Sequence, residues 1–286
     1  MTDTEITAIL RTLERFSGSY EREAVDAAVA RREEIIPYLI DSLVNLAENP
    51  AHYLEDKEYY LYVYGVMLLG HLQETRAHGA IIKAFSLPDD ALYQLFGDIS
   101  TEYLPTILFN TCGGSFHQIK SLIRDRQADD YVRSSGARAL VYGVAAGQLP
   151  REEVLAFFST LFSGGEAEKL SSFWSLIGNC ILDLQPRELL PLLKEADEKE
   201  LLDGFMFDDA DIERALSRTV DDCLASVRRV MERNSLDDPH RQMLSWHCFR
   251  NREAVPELPP APSKAKDQKK KKKRKTAKAS RRKNRG

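Results

Sequence analysis

The stretch LVYGVAAGQLPREEVLAFFSTL, residues 140–161, has a counterpart 36 residues further on in LIGNCILDLQPRELLPLLKEA, residues 176–196. Pro150-Arg151-Glu152 falls on Pro186-Arg187-Glu188, and each copy is an apolar run, a break carrying proline, and a second apolar run. A looser echo lies upstream, where Val63-Tyr64-Gly65-Val66 reads like Val141-Tyr142-Gly143-Val144. Self-similarity at about 35–40 residues is the period of stacked helical hairpins, in which no unit buries its apolar face alone. Glu34-Ile35-Ile36-Pro37-Tyr38-Leu39-Ile40-Asp41-Ser42-Leu43 also resembles the second helix of a HEAT repeat, with Pro37 in its first turn. The expected fold is therefore all-α: a helical-hairpin, HEAT-like repeat solenoid over residues 1–250.

The period supports that reading on both sides of the repeat. One apolar set is Val154, Leu155, Phe157, Phe158, Leu161 and Phe162; a second is Phe173, Leu176, Ile177, Cys180, Ile181 and Leu184. A third is Val220, Cys223, Leu224, Val227, Val230 and Met231. All three follow i, i+3, i+4, i+7 spacing, which puts each set on one broad helix face. No stretch alternates as a half-buried strand does. The breaks are short and chemically marked, at Glu48-Asn49-Pro50, Leu87-Pro88-Asp89-Asp90, Cys112-Gly113-Gly114-Ser115, Gln148-Leu149-Pro150 and Gln185-Pro186.

Charge divides the 286 residues sharply. From Pro256 to Gly286 stand ten Lys and four Arg against Glu257 and Asp267, which leaves 26 basic and 42 acidic residues for positions 1–255. The body repels nucleic acid and the C-terminal segment attracts it. Beyond Asn251 there is no aromatic residue, and four prolines between Pro256 and Pro262 precede seven consecutive basic residues, Lys269 to Lys275. Such a segment cannot bury apolar surface, so residues 251–286 are expected to be disordered. The N-terminus MTDTEITAILRTLERF has no basic region ahead of an apolar core, and the apolar run Tyr59–Leu72 is 14 residues against the roughly 20 of a membrane span. A cytoplasmic protein is expected.

Three segments carry a family resemblance: Tyr103-Leu104-Pro105-Thr106-Ile107-Leu108-Phe109-Asn110-Thr111, Asp130-Tyr131-Val132-Arg133-Ser134-Ser135, and the run through Pro150-Arg151-Glu152-Glu153-Val154. They resemble a bacterial family, a domain of unknown function with a HEAT-like helical body, and the resemblance extends over most of residues 1–235. It implies the helical fold and transfers no activity. Members of that family often end in a SEC-C zinc motif. This chain has no cysteine after Cys248, so zinc binding does not carry over.

The remaining candidates each have a structural reading. Cys112, Cys180, Cys223 and Cys248 never form a C-x-x-C pair, and Cys180 and Cys223 sit on apolar faces as small hydrophobes. His247-Cys248 adjoin two metal-capable residues but lack further ligands nearby, and Trp246 and Phe249 are expected to pack onto the last helices. Cys112-Gly113-Gly114-Ser115 precedes a helix and could cradle an anion, but Ser115 reads as its N-cap. Asp208-Asp209-Ala210-Asp211-Ile212-Glu213 lacks the glycine and distal Glu of a calcium loop, and its carboxylates suit the opening of a helix. Tyr59, Tyr60, Tyr62 and Tyr64 cannot all face one way, so some are core and some reach a groove. The histidines at 52, 71, 78, 117, 240 and 247 show no catalytic pairing, and neither a cofactor nor a metal is expected.

These readings point to a non-catalytic interaction scaffold whose acidic body docks a protein partner. Its basic residues Lys269, Lys270, Lys271, Lys272, Lys273, Arg274, Lys275, Arg281, Arg282 and Lys283 would contact nucleic acid or another polyanion. The alternative is a nucleic-acid-processing enzyme on a HEAT-like scaffold, which requires a basic groove.

Overall fold

The computed structural model describes residues 2–169, 171–204 and 206–249. Among them the regular structure is helical. In chain order the α-helices are α1 (Thr2–Glu14), α2 (Arg22–Ala30), α3 (Arg32–Glu48), α4 (Pro50–Glu55), α5 (Leu61–His71), α6 (His78–Phe85), α7 (Asp89–Phe96) and α8 (Ile99–Glu102). There follow α9 (Leu104–Thr111), α10 (His117–Arg124), α11 (Asp130–Ala145), α12 (Arg151–Ser159), α13 (Phe173–Asp183), α14 (Leu190–Glu198), α15 (Asp209–Leu216), α16 (Val220–Arg233) and α17 (Pro239–Met243). Short 3-10 turns occupy Thr75–Ala77, Arg187–Leu189 and His247–Phe249. Among the described residues no strand forms; one antiparallel bridge joins Arg15 to Tyr59, where Phe16 and Tyr60 donate to the Glu58 and Glu14 carbonyls.

Two helices run through the middle of the core. Every residue of α5 from Leu61 to Gly70 is buried, as are most of α11's from Val132 to Ala145. Helix α5 lies between α3 and α9, and α11 lies among α9, α10, α13 and α16. Glycine permits the closest of these approaches: a Cβ on Gly70 would come within 2.9 Å of Leu236 and Ile107, and one on Gly143 within 2.9 Å of the Phe116 ring. Around them Phe85, Phe158, Phe173 and Trp174 are fully enclosed, each worth about 1.5–3 kcal/mol or more of hydrophobic stabilisation.

The segments 140–161 and 176–196, expected to be copies of one repeat, fall on α11 with α12 and on α13 with the 3-10 turn Arg187–Leu189 and α14. Contacts distant in sequence are added to this local stacking. His71 bonds the Leu236 carbonyl at 2.7 Å, Arg228 donates to the Ala145 carbonyl at 2.8 Å, and His240 meets Tyr20 and Asp26. A solenoid in the strict sense makes nearest-neighbour contacts only. The described residues form an all-α assembly in which late elements also pack on early ones.

Two local expectations are corrected. Pro37 is not in the first turn; it is the sixth residue of α3. It lies on the exposed face, so the Glu33 carbonyl that loses its intrahelical donor stays near water while Ile35, Ile36 and Leu39 hold the helix to the core. Ser115 does not cap α10. The N-cap is Phe116, whose buried ring sits against Gly143, while Gly113 and Gly114 make the turn with φ of 58° and 79°. Packing of the phenyl ring sets where α10 begins, not a hydroxyl.

The acidic run at 208–213 does open a helix. Asp208 caps α15 by accepting from the Asp211 amide at 3.0 Å, and the Asp211 carboxylate accepts from the Asp208 amide at 3.2 Å. Thr219 and Asp222 repeat this reciprocal box at α16.

Candidate functional site

One cleft of the described residues has a volume of about 430 Å³, within the roughly 300–1,000 Å³ of small-molecule sites. One wall comes from the bend between α7 and α8, where Gly97 takes φ of 48° so that the chain can reverse. The other wall is the C-terminal turn Ser245–Cys248, with Tyr60 and Val63 from the start of α5 beneath.

Aromatic packing fixes that C-terminal wall. The buried ring of Phe249 is surrounded by Phe16, Tyr20, Tyr60, Tyr64 and Trp246 at centroid distances of 5.6 to 6.3 Å. Trp246 stacks on Phe249 with an interplanar angle of 7° and donates its indole N–H to the Tyr103 hydroxyl at 3.3 Å. The expected packing of Trp246 and Phe249 is therefore real, but its surface is α5 and the segments after α1 and before α9, not the last helices. Cys248 is half-buried beside Tyr60; burial raises both the thiol and the phenol above their ordinary pKa values. His247 is exposed and lines the cleft.

The opposite wall carries charge. Tyr93 projects from α7 with 73% of its surface exposed, and Asp98 and Glu102, four residues apart and so on one helical face, also line the cleft. Among the described residues neither carboxylate enters an ion pair. The cleft thus combines Tyr60, Tyr93, Tyr103 and Trp246 with two free negative charges. Aromatic faces and unpaired carboxylates share one ligand preference, for a cation.

A second, smaller groove is polar. Arg138, Arg214 and Arg218 line it, but Arg138 is paired with Asp183, Arg214 is held by Asp211 at 2.8 Å, and no aromatic side chain joins them. Two of its three positive charges are thus compensated, while Arg218 donates to the Asp222 carbonyl and to the Ser226 hydroxyl at 2.6 Å.

Lys269–Lys275 and Arg281–Lys283 lie outside the described residues. Cys112, Cys180 and Cys223 are buried free thiols, with burial raising the pKa of each. Tyr62 and Tyr64 are core residues of α5, whereas Tyr59 and Tyr60 precede it and are half-buried, and Tyr60 is the one that reaches the cleft. Among the described residues no group of three His, Cys, Asp or Glu side chains converges as a metal site.

Among the histidines, His78 is buried. Thr111 gives its single hydroxyl proton to the Ile107 carbonyl and therefore accepts from His78 Nδ1 at 2.9 Å, and burial lowers the imidazole pKa. His240 links Tyr20 at 2.7 Å to Asp26 at 2.8 Å, a hydroxyl–imidazole–carboxylate row that ties α17 to α2. Its hydroxyl belongs to a half-buried tyrosine packed on Tyr64 and Phe249, and burial holds that phenol protonated well beyond its ordinary range. The row acts as a clasp.

The three resemblance segments are structural anchors. Asn110 donates to the Gly70 carbonyl at 2.9 Å, locking α9 to α5. Arg133, 2% exposed, donates to the Ile123 and Glu166 carbonyls at 2.9 Å each and lies 3.7 Å over the Phe173 ring. Ser135 bonds the Ser100 carbonyl at 2.8 Å. Arg151 spans the two repeat copies: Nε donates to the Leu184 carbonyl at 2.6 Å, and the guanidinium forms a fork on Glu188 at 2.6 and 2.7 Å. Sequence reasoning found these segments but not the cleft. Tyr93, Tyr103 and Trp246 are too far apart in the chain for spacing to join them, and the local signals were one exposed tyrosine in an amphipathic run and one aromatic cluster at 246–249.

Comparisons with known proteins agree on kinship. An uncharacterized protein of Chlamydia trachomatis serovar D is 30% identical over 243 residues, covering 85% of this chain and 96% of the relative. One from Chlamydia muridarum is 29% identical over the same extent. No solved structure matches. The family model described as "Protein of unknown function (DUF1186)" matches residues 4–250, and the chain belongs to that family.

Proposed function

We propose that this chain is a non-catalytic interaction protein of the cytoplasm whose helical body docks a protein partner and whose basic C-terminal residues contact a polyanion. The observation that carries the reading is the open aromatic cleft between the α7–α8 bend and Ser245–Cys248. Of the large apolar side chains most exposed to solvent, Tyr93 lines this cleft and Leu244 adjoins it. An exposed tyrosine beside the partly buried rings of Tyr60 and Trp246 at a concave site suits partner recognition. The nucleic-acid-processing alternative requires a basic groove, and the free charges of this cleft are carboxylates. No helix of the described residues is long and apolar enough to cross a membrane.

The test replaces Tyr93 in the full chain by a photo-crosslinking phenylalanine analogue. The same analogue at Tyr131, exposed on α11 away from the cleft, is the control. Adducts formed at position 93 and not at 131 are expected; equal labelling, or none at 93, overturns the docking surface. For the basic residues, anisotropy titrations of labelled RNA and DNA against salt are expected to show sequence-independent binding that weakens steeply with salt. Replacing Lys269 through Lys273 by glutamine should flatten the log–log slope by up to about 4 to 5, at about 0.9 per phosphate neutralised. An unchanged slope removes this segment as the contact.

A further inference from the structure

We propose that the cleft receives the side-chain cation of a lysine- or arginine-bearing segment of the partner. This inference rests on the docking reading above and names its chemistry. Asp98 and Glu102 are the first point: both line the cleft, both are exposed, and neither is neutralised by an ion pair among the described residues. An apolar peptide closing over them would strip water from two carboxylates and return nothing, whereas a cation replaces that water with an opposite charge.

The aromatic walls are the second point. Trp246 is held in a fixed plane by Phe249 and by its bond to Tyr103, so one ring face is pre-set before any ligand arrives. Tyr93 faces solvent from the other wall. A cation between aromatic rings is attracted to their π faces as well as to the carboxylates, and an anion is repelled by both. The third point is long-range: with 26 basic against 42 acidic residues in positions 1–255, the field of the body raises the local concentration of cations.

The experiment uses full-length protein and a short fluorescein-labelled peptide of alternating lysine and glycine, at near-physiological salt. A fully lysine-acetylated copy and a neutral leucine–serine peptide serve as comparisons. Anisotropy gives the affinity, and the indole N–H signals in a nitrogen–proton NMR spectrum give the location. Trp174 is fully buried and bonded to the Glu168 carbonyl, so its signal should stay still while that of Trp246 moves. Asp98→Asn with Glu102→Gln is expected to weaken binding about tenfold, and Tyr93→Ala about two- to fivefold. Removing two exposed carboxylates that do not line the cleft, Glu198→Gln with Glu213→Gln, should change it by less than about twofold, since charges in solvent are screened by salt. Equal effects of the two double variants, equal binding of the acetylated peptide, or a motionless Trp246 signal overturns the proposal. If the neutral peptide shifts Trp246 and Tyr93→Ala alone weakens it, docking at the cleft stands and its cation chemistry falls. If no peptide moves Trp246 and position 93 also forms no adduct, both fall.

Discussion

The segments at 150–152 and 186–188 share Pro-Arg-Glu and differ in almost everything that motif does. In the first, Pro150 is extended, α12 starts at Arg151, and Val154, Leu155, Phe157 and Phe158 are all buried. In the second, Pro186 leads into the 3-10 turn Arg187–Leu189, and α14 starts only at Leu190 with Leu193 and Ala196 as its buried residues. Pro191 explains the delay: in an α-helix begun at Arg187 it would lie in the interior without an N–H to donate, whereas in α14 it sits in the first turn. Arg151 reaches the second segment, bonding the Leu184 and Gln185 carbonyls and Glu188. Arg187 is exposed and enters no ion pair among the described residues. A repeated motif thus acquires its role from what lies beneath it.

The sharpest way to break this comparison is to truncate equivalent positions. Phe158 is fully buried and its counterpart, Lys194, is exposed. Phe158→Ala is expected to cost about 3–5 kcal/mol and Lys194→Ala less than about 0.5 kcal/mol, measured by urea unfolding followed by circular dichroism. Similar values for the two would mean that the copies are packed alike. The width of the Phe158→Ala transition separates stacking from closure. A broadened transition is what nearest-neighbour stacking predicts, and a single sharp one is expected from the return contacts of His240, Leu236 and Trp246.

The arginines give the next effect. Arg151→Ala leaves two buried-end carbonyls without their charged donor and should cost about 1.5–3 kcal/mol, while Arg187→Ala should stay within about 0.5 kcal/mol. Thermal melts of the two variants side by side decide it, and equal shifts would show that Arg151's contacts add nothing.

The smallest effect is a pH dependence. Hydrogen bonding from Arg151 first, then a backbone hydrogen bond and the Arg151 charge, hold the Glu188 carboxyl below its ordinary range, against burial that acts the other way. A carboxyl whose folded pKa is lowered adds stability above its unfolded value, about 4.3, and loses it as pH falls through the folded one. Glu188→Gln should therefore be slightly destabilising at pH 7, by less than about 1 kcal/mol because the carboxylate is about half exposed. Wild type and variant should converge below about pH 4. A gap that persists at acid pH would place the effect in packing and not in charge.

How far the sequence could be read varies from residue to residue. The acidic opening of α15 was legible because a cap is local: Asp208 and Asp211 need only each other and the backbone between them. The cap at Ser115 was misplaced because the start of α10 is set by Phe116 against Gly143, a contact with a helix that lies further along the chain. The cleft was illegible for the same reason: Tyr60, Asp98 and Trp246 meet only after α5, α8 and the C-terminal turn have packed.

Helix content, the chain breaks, the burial of Cys180 and Cys223 and the acidic balance of residues 1–255 follow from the sequence alone, since period, proline and charge act over a few residues or by simple summation. The return of α17 to α2, the division of labour between Arg151 and Arg187, and the union of aromatic rings with Asp98 and Glu102 were decided by tertiary structure. Each depends on which apolar faces find one another across long stretches of chain, and no local period encodes that choice.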